Sequence, residues 1–184
     1  MTNVLGIAGS LRSGSWNAAL LRAAAAHMPA GATLEIGSIQ GIPLYDGDVE
    51  TASGVPPPVA RLKDQIAAAE GVLIVTPEYN NSIPGVLKNA IDWCSRPDSD
   101  SPRVFRGRKI ALIGASPSAF GTTLAQAAWL PVLRTLGTNP WFGARLLVSR
   151  AQTAFDASGD LVDDRVRDRL RAFLEGFVAF VRDR

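Results

Sequence analysis

Short apolar segments alternate along the chain with longer segments whose apolar residues recur at helical spacing. The short segments predict β-strands at Val4–Ala8, Thr33–Ser38, Val72–Thr76, Ile110–Ala115 and Arg145–Ser149. The longer segments predict helices at Ala18–His27, Pro57–Ala69, Pro84–Cys94, Thr122–Leu136 and Asp160–Val181. Strands that alternate with helices are typical of an α/β fold, in which right-handed crossovers cover both faces of a parallel sheet.

Prolines help to place the ends of these helices. The prolines at positions 56–58 suit the start of a helix better than its interior. Pro84 is acceptable in the first turn of the third helix, for which Ser82 is a candidate N-cap. Pro131 lies within the fourth helical pattern, where a proline predicts a kink.

The composition is that of one globular domain. The chain has 184 residues, of which 47% are hydrophobic and 20% charged, and no repeat or interdomain linker is visible. We therefore expect a single domain over residues 1–184. The polar, glycine-containing segment Gly41–Gly54 is expected to be a surface connection. The alternative is a lid or a partner contact formed by Pro43, Leu44 and Tyr45.

The charge pattern, the single cysteine and the absence of long apolar stretches argue against several classes of protein. The net charge is +2, and the arginines of the last helix alternate with aspartates, as on a solvated helix face rather than a nucleic-acid-binding surface. The one cysteine, Cys94, cannot form an internal disulfide. The sequence shows no signal peptide, no metal-binding cluster and no apolar stretch near the roughly 20 residues that cross a bilayer. We expect a cytoplasmic protein that binds neither nucleic acid nor membrane.

The polar loop between the first strand and the first helix carries the main functional signal. It reads Gly9-Ser10-Leu11-Arg12-Ser13-Gly14-Ser15-Trp16-Asn17. Such a loop turns backbone N–H groups and hydroxyls toward the positive end of a helix dipole, where a phosphate fits. It matches neither the dinucleotide fingerprint nor the P-loop. A helix cap would account for Ser15 or Asn17 but not for the other polar residues, so we favour an anion site.

Two further polar loops follow predicted strands, and open parallel sheets bind ligands beyond the carboxyl ends of their strands. The loop Pro77–Ser82 offers an aromatic face and amide groups to a planar heterocycle, and its Glu78 could pair with a cation. A turn before a helix is the alternative. The loop Ser116–Thr123 mixes hydroxyls with Gly121, which would let a flat ligand approach the backbone. A helix cap by Ser118 is the alternative there.

Together these loops resemble the NADPH-dependent FMN reductase family, which includes quinone reductases, chromate reductases and azoreductases. The first motif is Gly9-Ser10-Leu11-Arg12-x-x-Ser15-Trp16-Asn17. The second is Pro77-Glu78-Tyr79-Asn80-x-Ser82-x-Pro84-Gly85-x-Leu87-Lys88-Asn89-x-x-Asp92-Trp93. The resemblance extends from Val4 to about Glu175. It implies a flavodoxin-like three-layer sandwich, with a five-stranded parallel sheet in the order 2-1-3-4-5.

The resemblance also implies where FMN binds. The implied cofactor-binding residues are Ser10, Arg12, Ser15, Trp16 and Asn17 in the phosphate loop, Pro77, Glu78, Tyr79, Asn80 and Ser82 around the isoalloxazine ring, and Ser116 and Gly121 on the other side of the flavin. No side chain is required as a nucleophile or general base, because the flavin carries the chemistry. Relatives are homodimers or homotetramers with the flavin near a subunit boundary, and the same assembly is expected here.

The implied activity is a ping-pong transfer of hydride. NADPH or NADH reduces the bound FMN and leaves, and a small-molecule electron acceptor takes its place. The acceptors typical of the family are quinones, azo compounds, free flavins and chromate. The alternatives are a flavin-binding electron carrier or a regulatory subunit without turnover. Electron carriers of this fold are commonly strongly acidic, whereas this chain has 19 basic and 17 acidic residues.

The chain departs from the family pattern after the fourth strand. Where the family usually has a Gly-Gly pair, this chain has Gly121-Thr122. Relatives often have an arginine in the next helical turn, where this chain has Leu124. This region often meets the partner subunit in the family, so the resemblance says least about the edge of the substrate pocket and the oligomeric geometry.

Overall fold

A parallel sheet lies between two layers of helices in the computed structural model, which describes residues 1–183. The strands are β1 (Thr2–Ala8), β2 (Ala32–Gly37), β3 (Gly71–Val75), β4 (Lys109–Ala115), β5 (Asn139–Pro140) and β6 (Leu146–Val148). The helices are α1 (Trp16–Ala26), α2 (Gly47–Ser53), α3 (Pro57–Ala68), α4 (Gly85–Cys94), α5 (Ser101–Phe105), α6 (Thr123–Thr135), α7 (Ala151–Ala154) and α8 (Asp164–Arg182).

The strand order is β2-β1-β3-β4-β5, with β6 also paired to β4, and every pairing is parallel. This confirms the predicted order 2-1-3-4-5. The fifth position of the sheet is divided between β5, which pairs with the start of β4, and β6, which pairs with its end. The strand predicted at Arg145–Ser149 corresponds to β6 alone. The two residues of β5 are too few to show a pattern of apolar residues in the sequence.

The segment predicted as a connection at Gly41–Gly54 contains a helix, so that prediction was wrong in part. Asp46 begins α2, and its carboxylate accepts a hydrogen bond from the Asp48 N–H at 2.8 Å. None of the residues of α2 is buried. An exposed polar helix has no apolar stripe, and hydrophobic periodicity therefore could not reveal it.

Two helix starts also differ from the sequence prediction. The last helix begins at Asp164 rather than Asp160, because the Asp163 carboxylate accepts from the N–H groups of the next turn at 2.9 and 3.1 Å. The N-cap of α4 is Pro84 and not Ser82, which pairs with Tyr79 instead.

Burial along β3 explains the layers of the fold. Every residue of Gly71–Val75 is buried, so both faces of the sheet centre must be covered. Helices α1 and α8 cover one face, and helices α3, α4, α5 and α6 cover the other. The largest side chains of the second layer, Trp93, Trp129 and Phe105, are almost fully buried. Complete burial of such a side chain contributes about 1.5–3 kcal/mol of transfer free energy.

The last helix is amphipathic rather than uniformly apolar. Leu170, Phe173 and Phe177 are buried against the sheet, whereas Arg165 and Arg169 are exposed. This agrees with the solvated arginine face expected from the sequence. Over residues 1–183, no helix combines the length and the apolarity that crossing a bilayer requires.

Candidate functional site

Three polar loops lie together at one edge of the sheet. They follow β1, β3 and β4, which are parallel neighbours, so their carboxyl ends meet. The backbone ladder continues into the loops: the Gly9 N–H donates to the Val75 carbonyl at 2.9 Å, and the Thr76 N–H donates to the Ile113 carbonyl at 2.8 Å. This edge of an open parallel sheet is where ligands bind.

The first loop presents a set of unpaired donors at the start of α1. Ser15 is the N-cap, and its hydroxyl accepts from the Ala18 N–H at 3.3 Å. Within the described part of the chain, no acceptor is found for the backbone N–H groups of six other loop residues: Ser10, Leu11, Ser13, Gly14, Trp16 and Asn17. Because these donors surround the positive end of the helix, the loop suits an anion with several oxygens.

Asn17 has a structural partner that the sequence did not reveal. Its side-chain amide donates to the Ala115 carbonyl at 2.8 Å and accepts from the Ala115 N–H at 2.9 Å. The side chain is buried, so it ties the start of α1 to the end of β4. An anion at this loop would therefore meet the backbone N–H of Asn17 rather than its side-chain amide, whose NH2 group already donates to Ala115.

Arg12 supplies the positive charge of the first loop. Its guanidinium carbon lies 6.0 Å from the centre of the Trp16 ring, at the outer limit of a cation–π contact. Among residues 1–183, Arg12 has no carboxylate within salt-bridge distance. The guanidinium is exposed and remains available to a phosphate.

The second loop is a tight turn. The N–H of Tyr79 donates to the Ser82 carbonyl at 3.1 Å, and the reverse hydrogen bond measures 3.0 Å. The two residues between them, Asn80 and Asn81, have φ angles of 50° and 59°. This is the left-handed conformation that asparagine tolerates better than most residues, and two consecutive residues with positive φ define a type I′ turn.

Tyr79 connects the second loop to the first. Its side chain is 43% exposed, and its hydroxyl donates to the Ser10 hydroxyl at 3.3 Å. The Ser10 hydroxyl also accepts from the Arg12 N–H at 3.4 Å. Both hydrogen bonds are long and near the surface, so a ligand oxygen can replace them at little cost.

Glu78 connects the second loop to α6. Its Oε2 accepts hydrogen bonds from the N–H groups of Leu124 at 2.8 Å and Ala125 at 3.0 Å. The N-cap residue of α6, Thr122, makes no such bond, and its buried hydroxyl accepts instead from Gln126 Nε2 at 3.1 Å. The sequence suggested that Glu78 pairs with a cationic side chain. In the structure its carboxylate instead binds the N–H groups at the positive end of α6.

Two buried polar side chains, those of Thr76 and Trp129, hold the start of the second loop from the protein interior. Thr76 is fully buried, and its hydroxyl donates to the Pro77 carbonyl at 2.9 Å and accepts from Trp129 Nε1 at 3.1 Å. Gly114 lies close by on β4, where a Cβ atom would stand 2.2 Å from the Thr76 carbonyl oxygen and 2.3 Å from Thr122 Oγ1. The packing between β3, β4 and α6 therefore requires glycine at this position.

The third loop is held by its own hydroxyls. The Ser116 hydroxyl donates to Ser118 Oγ at 3.1 Å, and the Ser118 hydroxyl donates to the Gly121 carbonyl at 3.3 Å. Ser118 therefore does not cap α6, and the cap interpretation of this loop was wrong. Gly121 has a φ of 63°, and a Cβ there would lie 3.1 Å from the Cβ of Leu147 on β6. The close approach that this glycine permits is to β6.

The predicted site residues thus converge at one edge of the sheet from three loops. Sequence reasoning did not find Thr76, Trp129 or the backbone of Leu124 and Ala125, which hold the loops in place. Their contacts link positions 46 to 53 residues apart along the chain. A single sequence carries no pairing signal across such a distance.

The fold is that of a flavodoxin-like domain, and its first polar loop, after β1, surrounds the start of α1. The sequence profile of the NADPH-dependent FMN reductase family matches residues 2–153. The chain belongs to this family, which confirms the predicted family, its class as an oxidoreductase and FMN as the cofactor of that class.

Individual relatives resemble the chain over nearly its whole length. The NAD(P)H-dependent FMN reductase of Pseudomonas aeruginosa is 47% identical over 179 residues, which cover 97% of this chain and 95% of that enzyme. The 2-hydroxy-1,4-benzoquinone reductase of a Burkholderia species is 40% identical over 178 residues, covering 97% and 95%. Among solved structures, the NAD(P)H:acceptor oxidoreductase FerB of Paracoccus denitrificans superimposes with a TM-score of 0.87 at 32% identity, covering 98% and 97%.

Proposed function

We propose that this chain binds FMN across the three loops and uses NADPH or NADH to reduce a quinone-class acceptor. The observation that carries the proposal is the set of N–H donors around the start of α1 that have no partner within residues 1–183, together with Arg12, which forms no ion pair there. A phosphate monoester has about two negative charges and three oxygens that each accept more than one hydrogen bond, which suits the positive guanidinium and the cluster of N–H donors. The named relatives are FMN and quinone reductases.

In this proposal the first loop holds the FMN phosphate. The backbone N–H groups of Trp16 and Asn17 would donate to it, as would the hydroxyl of Ser10, which accepts from Tyr79 and keeps its own hydrogen free to donate. Arg12 would neutralise its charge. Ser15 would act through its cap, since its hydroxyl already accepts from Ala18 at 3.3 Å and orders the first turn of α1.

The second and third loops would border the flavin ring. Tyr79 offers an exposed aromatic face, and the Asn80 side chain lies exposed at the tip of the tight turn. The remaining ring-bordering residues in this proposal are Pro77, Glu78, Ser82, Ser116 and Gly121. FMN, when bound, accepts hydride from a nicotinamide and passes it on, so the chain needs only to position the ring and leave one face open.

The proposed kinetic scheme is ping-pong, with the nicotinamide product leaving before the acceptor enters. An open site at the rim of three loops suits such alternate occupancy, because one exposed face serves both partners. The proposed acceptors are quinones first, followed by azo compounds, free flavins and chromate. The proposed location is the cytoplasm, where NADH and NADPH are supplied.

We further propose that the chain forms a homodimer or homotetramer. Support comes from α6, which exposes Leu124 and Leu130, and from the nearby exposed side chains of Phe120 and Phe142. Apolar side chains exposed this close together commonly mark an interface. Light scattering coupled to size-exclusion chromatography tests this assembly, and a monomer at micromolar concentration would contradict it.

The decisive experiment combines FMN titration with initial-rate kinetics. We expect the apoprotein to quench FMN fluorescence with a saturable 1:1 isotherm and to oxidise NADH or NADPH when menadione is present. Double-reciprocal plots at several menadione concentrations should be parallel. A protein that binds no FMN would overturn the proposal, and intersecting lines would overturn the ping-pong scheme alone.

A further inference from the structure

We propose that Glu78 is a positioning residue for the flavin ring, acting by anchoring the loop Pro77–Ser82 to the start of α6. This inference builds on the proposed function, because it concerns how the same site holds its ring. The anchor consists of the Glu78 Oε2 hydrogen bonds to the N–H groups of Leu124 and Ala125, at 2.8 and 3.0 Å.

In the part of the chain that the structure describes, the start of α6 has no other side-chain cap. Its N-cap, Thr122, makes no capping hydrogen bond, and its hydroxyl faces the interior toward Gln126 Nε2. The first turn of a helix leaves N–H groups without partners, and a carboxylate is favoured there by the helix dipole. Glu78 therefore serves as the cap of a helix that begins 45 positions later along the chain. The loop and the helix cannot move independently while this contact is present.

A second contact fixes the same loop to the same helix. Trp129 of α6 donates to the Thr76 hydroxyl at 3.1 Å, and that hydroxyl donates to the Pro77 carbonyl at 2.9 Å. The carbonyl of Pro77 and the N–H of Glu78 belong to one planar trans peptide, so they point in opposite directions. With the carbonyl turned toward the buried Thr76, the Glu78 N–H is turned away from it. That N–H has no acceptor within the part of the chain that the structure describes.

Together the two contacts fix the direction of one backbone donor in the second loop, the N–H of Glu78. Trp129 and Glu78 hold the peptide between Pro77 and Glu78 from both sides, and the free Glu78 N–H lies at the edge where the ring is proposed to bind. A donor held in place interacts most strongly with the more electron-rich form of its acceptor. The orientation of this peptide should therefore affect both flavin affinity and the midpoint potential of the bound flavin. The Glu78 carboxylate acts only through the backbone it anchors.

The test compares four variants of the full chain. Glu78→Ala removes the anchor, and Glu78→Gln keeps an oxygen that accepts the same hydrogen bonds. Thr123→Asp places a carboxylate in the first turn of α6, where the helix dipole favours it, and replaces a hydroxyl that donates to the Phe120 carbonyl at 2.7 Å rather than to the second loop. The double variant Glu78→Ala/Thr123→Asp therefore restores the helix start but not the anchor. Each is measured for apoprotein melting temperature, Kd for FMN and for riboflavin, and midpoint potential of bound FMN.

We expect Glu78→Ala to weaken FMN and riboflavin by the same factor, about tenfold, which is the effect of losing one well-made hydrogen bond. Riboflavin lacks the phosphate, so an equal factor places the defect at the ring. The midpoint potential should become more negative, and a tenfold difference between the two redox states corresponds to about 30 mV. The apoprotein should melt about 2–4 °C lower for the loss of a cap of ordinary strength. Glu78→Gln should resemble the parent.

The double variant separates positioning from simple helix capping. We expect it to recover the melting temperature while the flavin affinities and the potential stay altered. Recovery of all three properties would overturn the proposal, because Glu78 would then be a cap and nothing more. So would a Glu78→Ala variant whose affinities and potential equal those of the parent. If the parent itself binds neither flavin, the proposed function fails, which is a separate and recognisable result.

Discussion

The side-chain amide of Asn17 forms two hydrogen bonds with the backbone of Ala115, which lies 98 positions further along the chain. The two bonds give partners to both the N–H and the C=O of Ala115, the last residue of β4. They also fix the start of α1 beside that residue. The first loop and the third loop are thereby held at a constant separation. A ligand that spans them meets a site that is already formed.

Substituting Asn17 should destabilise the whole domain. Asn17→Ala leaves the buried N–H and C=O groups of Ala115 without partners, and each such group costs about 1–3 kcal/mol. We expect the free energy of unfolding in urea to fall by about 2–4 kcal/mol. Ser10→Ala is the matched control in the same loop, since its contacts are long and exposed; it should change stability by less than about 0.5 kcal/mol. Equal effects of the two substitutions would contradict this account.

Removing the cation of the first loop should weaken FMN selectively. Hydrogen bonds to a charged partner contribute about 1.5–3 kcal/mol, so Arg12→Ala combined with Ser15→Ala should weaken FMN about 100-fold or more. Riboflavin affinity should change little, and Arg134→Ala, at the other end of α6, should leave both unchanged. Fluorescence titration measures all of these. Unchanged FMN affinity in the double variant would show that the phosphate lies elsewhere.

The apolar runs of the sequence were sufficient to predict the strands before the three loops and the position of those loops, whereas the strand order was implied by the resemblance to the FMN reductase family. Buried strands gave uninterrupted apolar runs, and the motifs around Ser10 and Tyr79 lie directly after two of them. What it could not predict was how the loops are fastened to one another. In the sequence, nothing indicates a partner for the Glu78 carboxylate or for the Asn17 amide. The structure shows that their partners are the backbones of Leu124 and Ala115. Such contacts depend on tertiary packing, which leaves no local pattern.

The turn at Asn80 and Asn81 should tolerate glycine but not a β-branched residue. Asn81 has a φ of 59°, which strains valine by about 1–3 kcal/mol and does not strain glycine. We expect Asn81→Val to lower the free energy of unfolding or to weaken FMN, whereas Asn81→Gly should match the parent within about 0.5 kcal/mol. Urea unfolding and FMN titration report the two effects. A valine variant that equals the glycine variant in both would show that the turn is not needed in this form.

Asp100 should make stability depend on pH in the acid range. Hydrogen bonds from Arg103 and from the buried Lys63, at 2.6 and 2.8 Å, hold the pKa of the Asp100 carboxyl well below its usual range. A carboxyl whose pKa is lower in the folded state stabilises the fold at pH values above its unfolded pKa. That stabilisation is lost as the pH falls through the lower, folded pKa.

The measurement is urea unfolding of the parent and of Asp100→Asn between pH 7 and pH 3. The parent should be more stable at pH 7, and the difference should shrink as the pH approaches 3. Asp98→Asn is the control, since that carboxylate is 88% exposed and should show a smaller difference throughout. A parent–variant difference that stays constant with pH would mean that the ion pair does not titrate in this window.

Cys94 should be chemically silent in the folded protein. The thiol is fully buried in the layer formed by α3, α4 and α6, and burial raises its pKa to about 12. Because only the thiolate is reactive, iodoacetamide at pH 8 should not modify the native chain but should modify it fully in 6 M guanidinium. Mass spectrometry distinguishes the two states. Cys94→Ala should also retain the parent's FMN affinity, because the thiol only fills space in the core. Rapid alkylation of the native protein would contradict this account. So would loss of FMN binding in a Cys94→Ala variant that still folds, and either result would assign this residue a part in the chemistry.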